Sequence, residues 1–304
     1  MALGAPAWPR ALLTFLSLAL GPHPQRELTL MPRFGFPGLS SAWPRALTIP
    51  AMAKAEKIAL WMRSRLASAG ARGFIVGLSG GIDSALVARL AQMAAPGAVT
   101  GVLLPCHSDA QDDRDALAVA SHFALPTMRV DLSPAYDVFA AEAQAALRTL
   151  PEQVRSATPA DPLRGRVPLA NIKPRLRMTT LYFIANSINY LVAGTGNRSE
   201  LAIGYFTKYG DGGADLLPIG HLLKREVREM AKELGVPGTI IDRPPSAGLW
   251  FGQLDEDEMG FTYAELERYL EEGPQAVSPA LAMRIERLAR SSDHKRVMPP
   301  IPDV

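Results

Sequence analysis

Residues 73–84 read GFIVGLSGGIDS, and this stretch decides the fold. Gly73–Leu78 is a short apolar run of strand type. It passes through Leu78-Ser79-Gly80-Gly81-Ile82-Asp83-Ser84 into a segment where Ile82, Leu86, Leu90 and Met93 share one helical face. The two glycines, Gly80 and Gly81, let the backbone turn sharply and approach a ligand closely. The helix start then offers free N–H groups and partial positive charge, which suit a phosphate. Ser79 and Ser84 add hydroxyls, and Asp83 would hold a magnesium ion against that phosphate. The competing reading is a plain strand-to-helix turn with Ser79 as N-cap and Asp83 complementing the helix dipole. The whole SGGxDS string, set between a strand and a helix, favours a nucleotide. It is neither a Walker loop, since the chain has no Gly-Lys dipeptide, nor the GxGxxG dinucleotide fingerprint.

The pattern extends in both directions. Ala55, Ile58, Ala59, Met62 and Leu66 recur at helical spacing, with Gly70 as a stop. Val99–Leu104 predicts a second strand, Asp112–Phe123 a helix, Thr127–Leu132 a third strand, and Pro134 opens a further helix. Residues 174–189 read as helical and 190–194 as a fourth strand. Leu223, Val227, Met230, Ala231 and Leu234 form one more helical stripe, ended by Gly235. Strands separated by helices predict an α/β fold, a doubly wound parallel sheet with helices on both faces, its strands apolar because both sides are buried. Ligands in such sheets bind beyond the carboxyl ends of the strands.

The fourth strand ends in Gly194-Thr195-Gly196-Asn197-Arg198-Ser199-Glu200, followed by a glycine-rich stretch, residues 204–218, reading GYFTKYGDGGADLLP. That composition cannot be a core element. It suits either a surface loop or a loop fitted around a polar ligand. Taken with NIKPRLRM, LKRE, PSAGLW, GQLDEDEMG and the late HKR, these motifs resemble, in order and spacing, those of ammonia-dependent NAD synthetases in the ATP pyrophosphatase (PP-loop) superfamily, whose fold is adenine nucleotide alpha-hydrolase-like. The resemblance covers about residues 53–300.

That resemblance implies a ligase that forms a carbon–nitrogen bond. It would amidate deamido-NAD (nicotinic acid adenine dinucleotide) with ammonia and ATP through an adenylate, giving NAD, AMP and pyrophosphate. It implies an ATP site at Gly77, Leu78, Ser79, Gly80, Gly81, Ile82, Asp83, Ser84, Thr195, Lys224 and Ser246, the last a serine where many members have threonine. It implies Mg²⁺ on Asp83 and Glu200, and substrate contacts from Arg175, Lys208, Asp215, His294 and Lys295. Gly196 and Asn197 depart from the Asp-His of some relatives. Asp83 and Lys224 are the catalytic candidates, with Asp211 offered as proton acceptor for ammonium. A homodimer with substrate at the subunit boundary and a cytoplasmic location are also implied. Taken alone, Glu200 reads equally as a cap of a short helix, Lys224 as part of a charged helix face, and His294-Lys295-Arg296 as a solvated tail. Cys106 and His107, adjacent on a strand end, would point to opposite faces, which disfavours a Cys–His couple. Cys106 reads as a strand-end residue near the nucleotide.

Composition sets outer limits. The chain has 304 residues, 32 Lys+Arg against 30 Asp+Glu, 48% hydrophobic residues and one Cys. This excludes a disordered chain and a disulfide scaffold, and one Cys also disfavours sulfur transfer. Arg10, Arg26, Arg33 and Arg45 against Glu27 give the first fifty residues a charge of +3, leaving 28 basic and 29 acidic groups, net −1, for the rest. That balance argues against a nucleic-acid partner. Residues 1–51 read as a Pro-rich leader before a single domain at 52–304. AWPRAL occurs twice there, and Ala11–Leu20 is an apolar run too short to span a membrane. Three readings stand: an over-extended start before Met31 or Met52, a disordered leader, or an export signal. Fifty residues cannot contain an amidase domain, so free ammonia is the expected nitrogen source. A tRNA-modifying relative and a non-catalytic nucleotide sensor are the rival functions. A sensor would need neither Glu200 nor the substrate cations.

Overall fold

The computed structural model describes residues 50–155, 162–250 and 252–302. The leader readings, with its apolar run and repeated hexapeptide, lie outside the described residues apart from its last two positions. The chain runs α1 (Ala51–Ser68), β1 (Phe74–Gly77), α2 (Ile82–Ala94), β2 (Val99–Leu103), α3 (Ala110–His122), β3 (Thr127–Arg129) and α4 (Ser133–Arg148). It continues with α5 (Glu152–Arg155), α6 (Pro162–Ala170), α7 (Ile172–Ile188), β4 (Leu191–Val192), α8 (Arg198–Ile203), α9 (Lys224–Glu233), α10 (Gly238–Ile241), α11 (Asp255–Met259), α12 (Tyr263–Glu272) and α13 (Pro279–Ser291).

The four strands are parallel in the order β3-β2-β1-β4. Side chains alternate across the pleat. Phe74 and Val76 of β1, with Leu103 of β2, pack against α1, α2 and α9 through Met62, Leu86, Leu90 and Met230. Ile75 and Val102 face the other way, against Ile184 and Ala185 of α7. The sheet is therefore covered on both sides, as its apolar strands require. The exception is β3, where Thr127, Met128 and Arg129 are all exposed. It is a three-residue edge strand, shorter than the expected 127–132 and without burial on two faces. A third apolar cluster, centred on Leu266 and Ile285, joins α8 to α11, α12 and α13. The strand and helix pattern gave no reading of it beyond Gly235.

The chain winds outward through β1, β2 and β3, then returns to place β4 on the other side of β1. The crevice between β1 and β4 is therefore a topological switch point, where ligands of open α/β sheets bind. The loops after β1 and β4 open side by side there.

Candidate active site

A cavity of about 430 Å³ lies at this crevice, within the range usual for small-molecule sites. Gly77, Leu78, Ser79, Gly81, Ile82, Asp83 and Ser84 line it from the β1 side. Gly80 does not: it turns outward at φ +79°, and a Cβ there would sit 2.6 Å from the Asp112 carbonyl oxygen. Glycine is thus required by close packing on α3 as well as by backbone conformation. Ser79 is not the N-cap. That position falls to Gly81, while the Ser79 hydroxyl accepts from the Gly81 N–H at 3.2 Å and lies 3.1 Å from the Ser84 hydroxyl.

Three distant segments meet over this loop. Lys224, the first residue of α9, is 2% exposed. Its Nζ donates to Asp83 Oδ2 at 2.5 Å and to Glu200 Oε1 at 3.2 Å. It also lies 5.3 Å from the Tyr263 ring centre. Burial alone would lower its pKa, but Asp83 and Glu200 reverse this and hold it above the usual lysine range. Burial pushes Glu200 up to about 7, Lys224 opposing and Asp83 reinforcing the shift. Two carboxylates and one ammonium leave a net negative site at the floor of the cavity.

Glu200 completes the helix cap and also reaches Lys224. Its Oε2 accepts from the Asn197 N–H at 3.2 Å, and Asn197 Oδ1 accepts from the Glu200 N–H at 3.1 Å, a reciprocal capping box that starts α8. Oε1 remains for Lys224. Asn197, fully buried where the motif departs from some relatives, donates from Nδ2 to Asp83 Oδ1 at 3.0 Å. It locks the Asp83 carboxylate in place, a contact that depends on β4 lying beside β1 and so left no mark in the sequence.

Thr195, Asp211, Ser246 and Lys295 also line the cavity. The Thr207 N–H donates to Asp211 Oδ1 at 2.9 Å. Loss of hydration raises the Asp211 carboxyl above its ordinary range, with hydrogen bonds from Thr207 opposing. Ser246 Oγ accepts from the Gly248 N–H at 3.1 Å. Lys295 Nζ donates to the carbonyls of Gly204 and Phe206, each at 2.8 Å. The HKR segment is therefore not a solvated tail: Lys295 and Arg296 bind the carbonyls that end α8.

Other candidates stand outside the cavity wall. Arg175 donates to the Lys208 carbonyl at 3.4 Å, and Lys208 Nζ to the His294 carbonyl at 2.5 Å, so these three form a chain at its margin. Asp215 accepts from Tyr182 Oη at 3.1 Å and from the Val192 N–H at 2.7 Å. Cys106 is fully buried in the α7-side core, and the cavity is lined instead by its neighbours Pro105 and Ser108. His107 turns away to pair with Asp137 at 2.7 Å, but not for the reason expected: β2 ends at Leu103, and Cys106 and His107 lie in a bend beyond it, His107 at φ +49°.

The GQLDEDEMG motif supplies cavity residues to which sequence reading gave no role. Asp255, 4% exposed, accepts from Tyr205 Oη at 3.2 Å and Tyr263 Oη at 2.9 Å. Glu258 Oε2 accepts from Tyr205 Oη at 2.7 Å and Gln253 Nε2 at 2.8 Å. The stretch 244–249 is tied down beside them, Lys173 Nζ donating to the Leu249 carbonyl at 2.8 Å.

Among the described residues no three His, Cys, Asp or Glu side chains form a group able to hold a metal ion. Asp83 and Glu200 nevertheless share a cation, Lys224, and both are hard oxygen donors. Magnesium typically takes one or two protein carboxylates and completes its shell with phosphates and water, so the pair fits it.

A parallel α/β sheet with this loop at its switch point, and two acids and a lysine above it, defines a PP-loop protein. The NAD synthase family model matches residues 54–299. An NH(3)-dependent NAD(+) synthetase of Carboxydothermus hydrogenoformans is 49% identical over 249 residues, 82% of this chain and 96% of that protein. Among solved structures, the NMN synthetase of Francisella tularensis aligns at TM-score 0.74 and 38% identity, covering 84% of this chain and all of that one. The NH3-dependent NAD synthetase of Campylobacter jejuni aligns at TM-score 0.65 and 28% identity, with the same coverages. The chain belongs to the NAD synthase family.

Proposed function

We propose that this protein is an ammonia-dependent NAD synthetase, which amidates deamido-NAD at the expense of ATP. The observation that carries this reading is the convergence of Asp83, Glu200 and Lys224 on the phosphate loop. A nicotinate carboxylate must approach a triphosphate, and that approach needs positive charge where negative charge accumulates. Loop N–H groups and Lys224 bind and orient the phosphates. The carboxylate oxygen attacks the α-phosphorus while the bond to pyrophosphate breaks. Ammonia nitrogen then attacks the activated carbonyl carbon, and AMP leaves. The ammonium proton goes to Asp211 Oδ2, a carboxylate that loss of hydration makes more basic than an ordinary aspartate. Asp83 and Glu200 would hold Mg²⁺. When bound, the ion neutralises phosphate charge and stabilises the leaving pyrophosphate.

The same proposal assigns ATP to the loop Gly77–Ser84, in which Gly80 packs on α3 and shapes the turn without lining the cavity, and to Thr195, Lys224 and Ser246. It assigns the acid substrate to Lys295 and to the Arg175, Lys208, His294 and Asp215 group. A cytoplasmic location belongs to the same proposal, resting on the family resemblance. No helix among the described residues is long and apolar enough to cross a membrane.

The test supplies ATP, Mg²⁺, deamido-NAD and either ammonium or glutamine to the purified protein. NAD and AMP should form in equal amounts with ammonium and not with glutamine. Failure to form AMP under any condition overturns the reading. A second reading, amidation of the mononucleotide acid, is favoured by the structural likeness to an NMN synthetase. A parallel reaction with that acid decides between the two by the higher kcat/KM.

A homodimer belongs to the same proposal. The sixteen-residue helix α4 buries only Ala140, while Phe139 and Leu147 are 55% and 58% exposed at i and i+8. Phe183 of α7, which packs beside α4, is 73% exposed. Apolar stripes of this kind on neighbouring helices fit a second copy of the chain. Sedimentation velocity should show a dimer that Phe183→Glu shifts to monomer. A monomeric unsubstituted protein sinks the idea.

A further inference from the structure

Four basic side chains line the cavity: Arg177, Lys224, Arg243 and Lys295. Lys224 is taken by Asp83 and Glu200, and Arg243 by Asp112 and Asp115 at 2.5 and 2.8 Å. Lys295 is held between two carbonyls. Arg177 differs from all three. Its Nε donates to the Leu104 carbonyl at 3.1 Å and its Nη2 to Ser108 Oγ at 3.2 Å. Both partners are neutral and lie just past the carboxyl end of β2, and Arg177 makes no ion pair with any described residue.

A guanidinium has five N–H donors in a planar fork. The Nε and Nη2 edge of Arg177 is fixed by Leu104 and Ser108, which leaves both Nη1 donors and one on Nη2 uncommitted. That end of the fork matches the paired oxygens of a phosphate. The charge is poorly hydrated: desolvation lowers the Arg177 pKa, opposed by Cys106 first and then by Asp112 and Asp211, none of which forms an ion pair with it. A cation withdrawn from water without a counter-charge is unfavourable unless an anion is supplied. The cavity wall offers little relief, because most of its carboxylates are already hydrogen-bonded. Asp112 serves Arg243, Asp211 serves Thr207, and Asp255 and Glu258 accept from tyrosines.

Arg177 stands two positions after Arg175 in NIKPRLRM. Successive helical residues are rotated by about 100°, so the two arginines leave α7 on nearly opposite sides. Arg175 is exposed at the margin, and Arg177 reaches the cavity. We infer that Arg177 is a phosphate-binding residue of this cavity, held rigid by Leu104 and Ser108 and receiving a phosphate oxygen of one of the two nucleotide substrates. This rests on the amidation reading above. ATP and the dinucleotide both carry phosphate, so the experiment must separate them.

The test compares Arg177→Gln and Arg177→Lys with the unsubstituted enzyme. It measures kcat, the KM for ATP at saturating deamido-NAD, the KM for deamido-NAD at saturating ATP, and the melting temperature. Losing a charge-assisted bidentate contact should raise one of the two KM values at least about 10-fold, with the other KM much less affected. A rise in the ATP value assigns the contact to ATP, and a rise in the dinucleotide value assigns it to that substrate. Lysine, which keeps the charge but not the fork, should restore part of the loss. If Arg177→Gln does not fold, Arg177→Lys decides by the same two constants. Both KM values unchanged, with only a lower melting temperature, would overturn the inference and leave Arg177 as a clamp on β2. If the unsubstituted enzyme forms no AMP, the functional reading itself fails, and that result is distinct from the others.

Discussion

Asp83→Asn is expected to give a folded protein whose release of AMP and pyrophosphate is lowered at least about a thousandfold, roughly 4 kcal/mol of transition-state stabilisation. Asp83 sits in the first turn of α2, with one oxygen fixed by Asn197 and the other by Lys224. Asparagine preserves size and can still accept from Asn197, so the fold should survive. It removes the negative charge that would hold a magnesium ion and that keeps Lys224 aimed at the loop. Folding is stabilised little by the native charge, because Asp83 and Glu200 share one ammonium and repel one another. Pyrophosphate release in a single turnover, alongside a melting curve, checks both halves. Release at the normal rate would remove Asp83 from the proposed machinery.

Lys224→Met should act on stability as well as activity. The lysine is 2% exposed and is the cation that compensates two carboxylates. Its removal leaves like charges together at the cavity floor, a defect of about 3–5 kcal/mol. Protonating Glu200 relieves that defect. Its folded pKa, about 7, lies above its ordinary value of 4.5. The folded protein therefore binds this proton more tightly than the unfolded chain, and stability falls as pH rises from about 4.5 through about 7. Without Lys224 the folded pKa moves higher, so the window extends upward. The melting temperature of Lys224→Met should thus approach that of the unsubstituted protein near pH 6 and fall well below it at pH 8. Equal melting temperatures at pH 8 would show that the lysine does not carry the compensating charge. Adenylate formation should be lost at either pH.

Individual elements show what sequence patterning could reach. The turn at residues 78–84 was legible because strand, glycines, hydroxyls and acid are contiguous, and each follows from local chemistry. The strand limits drifted at β3, since apolar content cannot tell a covered strand from an exposed edge. Ser79 was a reasonable N-cap by residue type, but the extra glycine moved the helix start to Gly81. Lys295 resembled a solvated tail because its partners are backbone carbonyls of Gly204 and Phe206, which have no sequence signature. Asp255 and Glu258 lie in a motif that was visible, yet their tyrosine partners come from two other segments.

That a phosphate loop opens an α/β sheet is written in the residue order alone, because all the needed chemistry fits within one strand, one turn and one helix start. The contacts themselves came from the folded chain: Lys224 between Asp83 and Glu200, and Asn197, which had no expected role, on Asp83. Their meeting depends on β4 returning to the far side of β1, and strand order is fixed by the packing of whole helices rather than by any local run of residues.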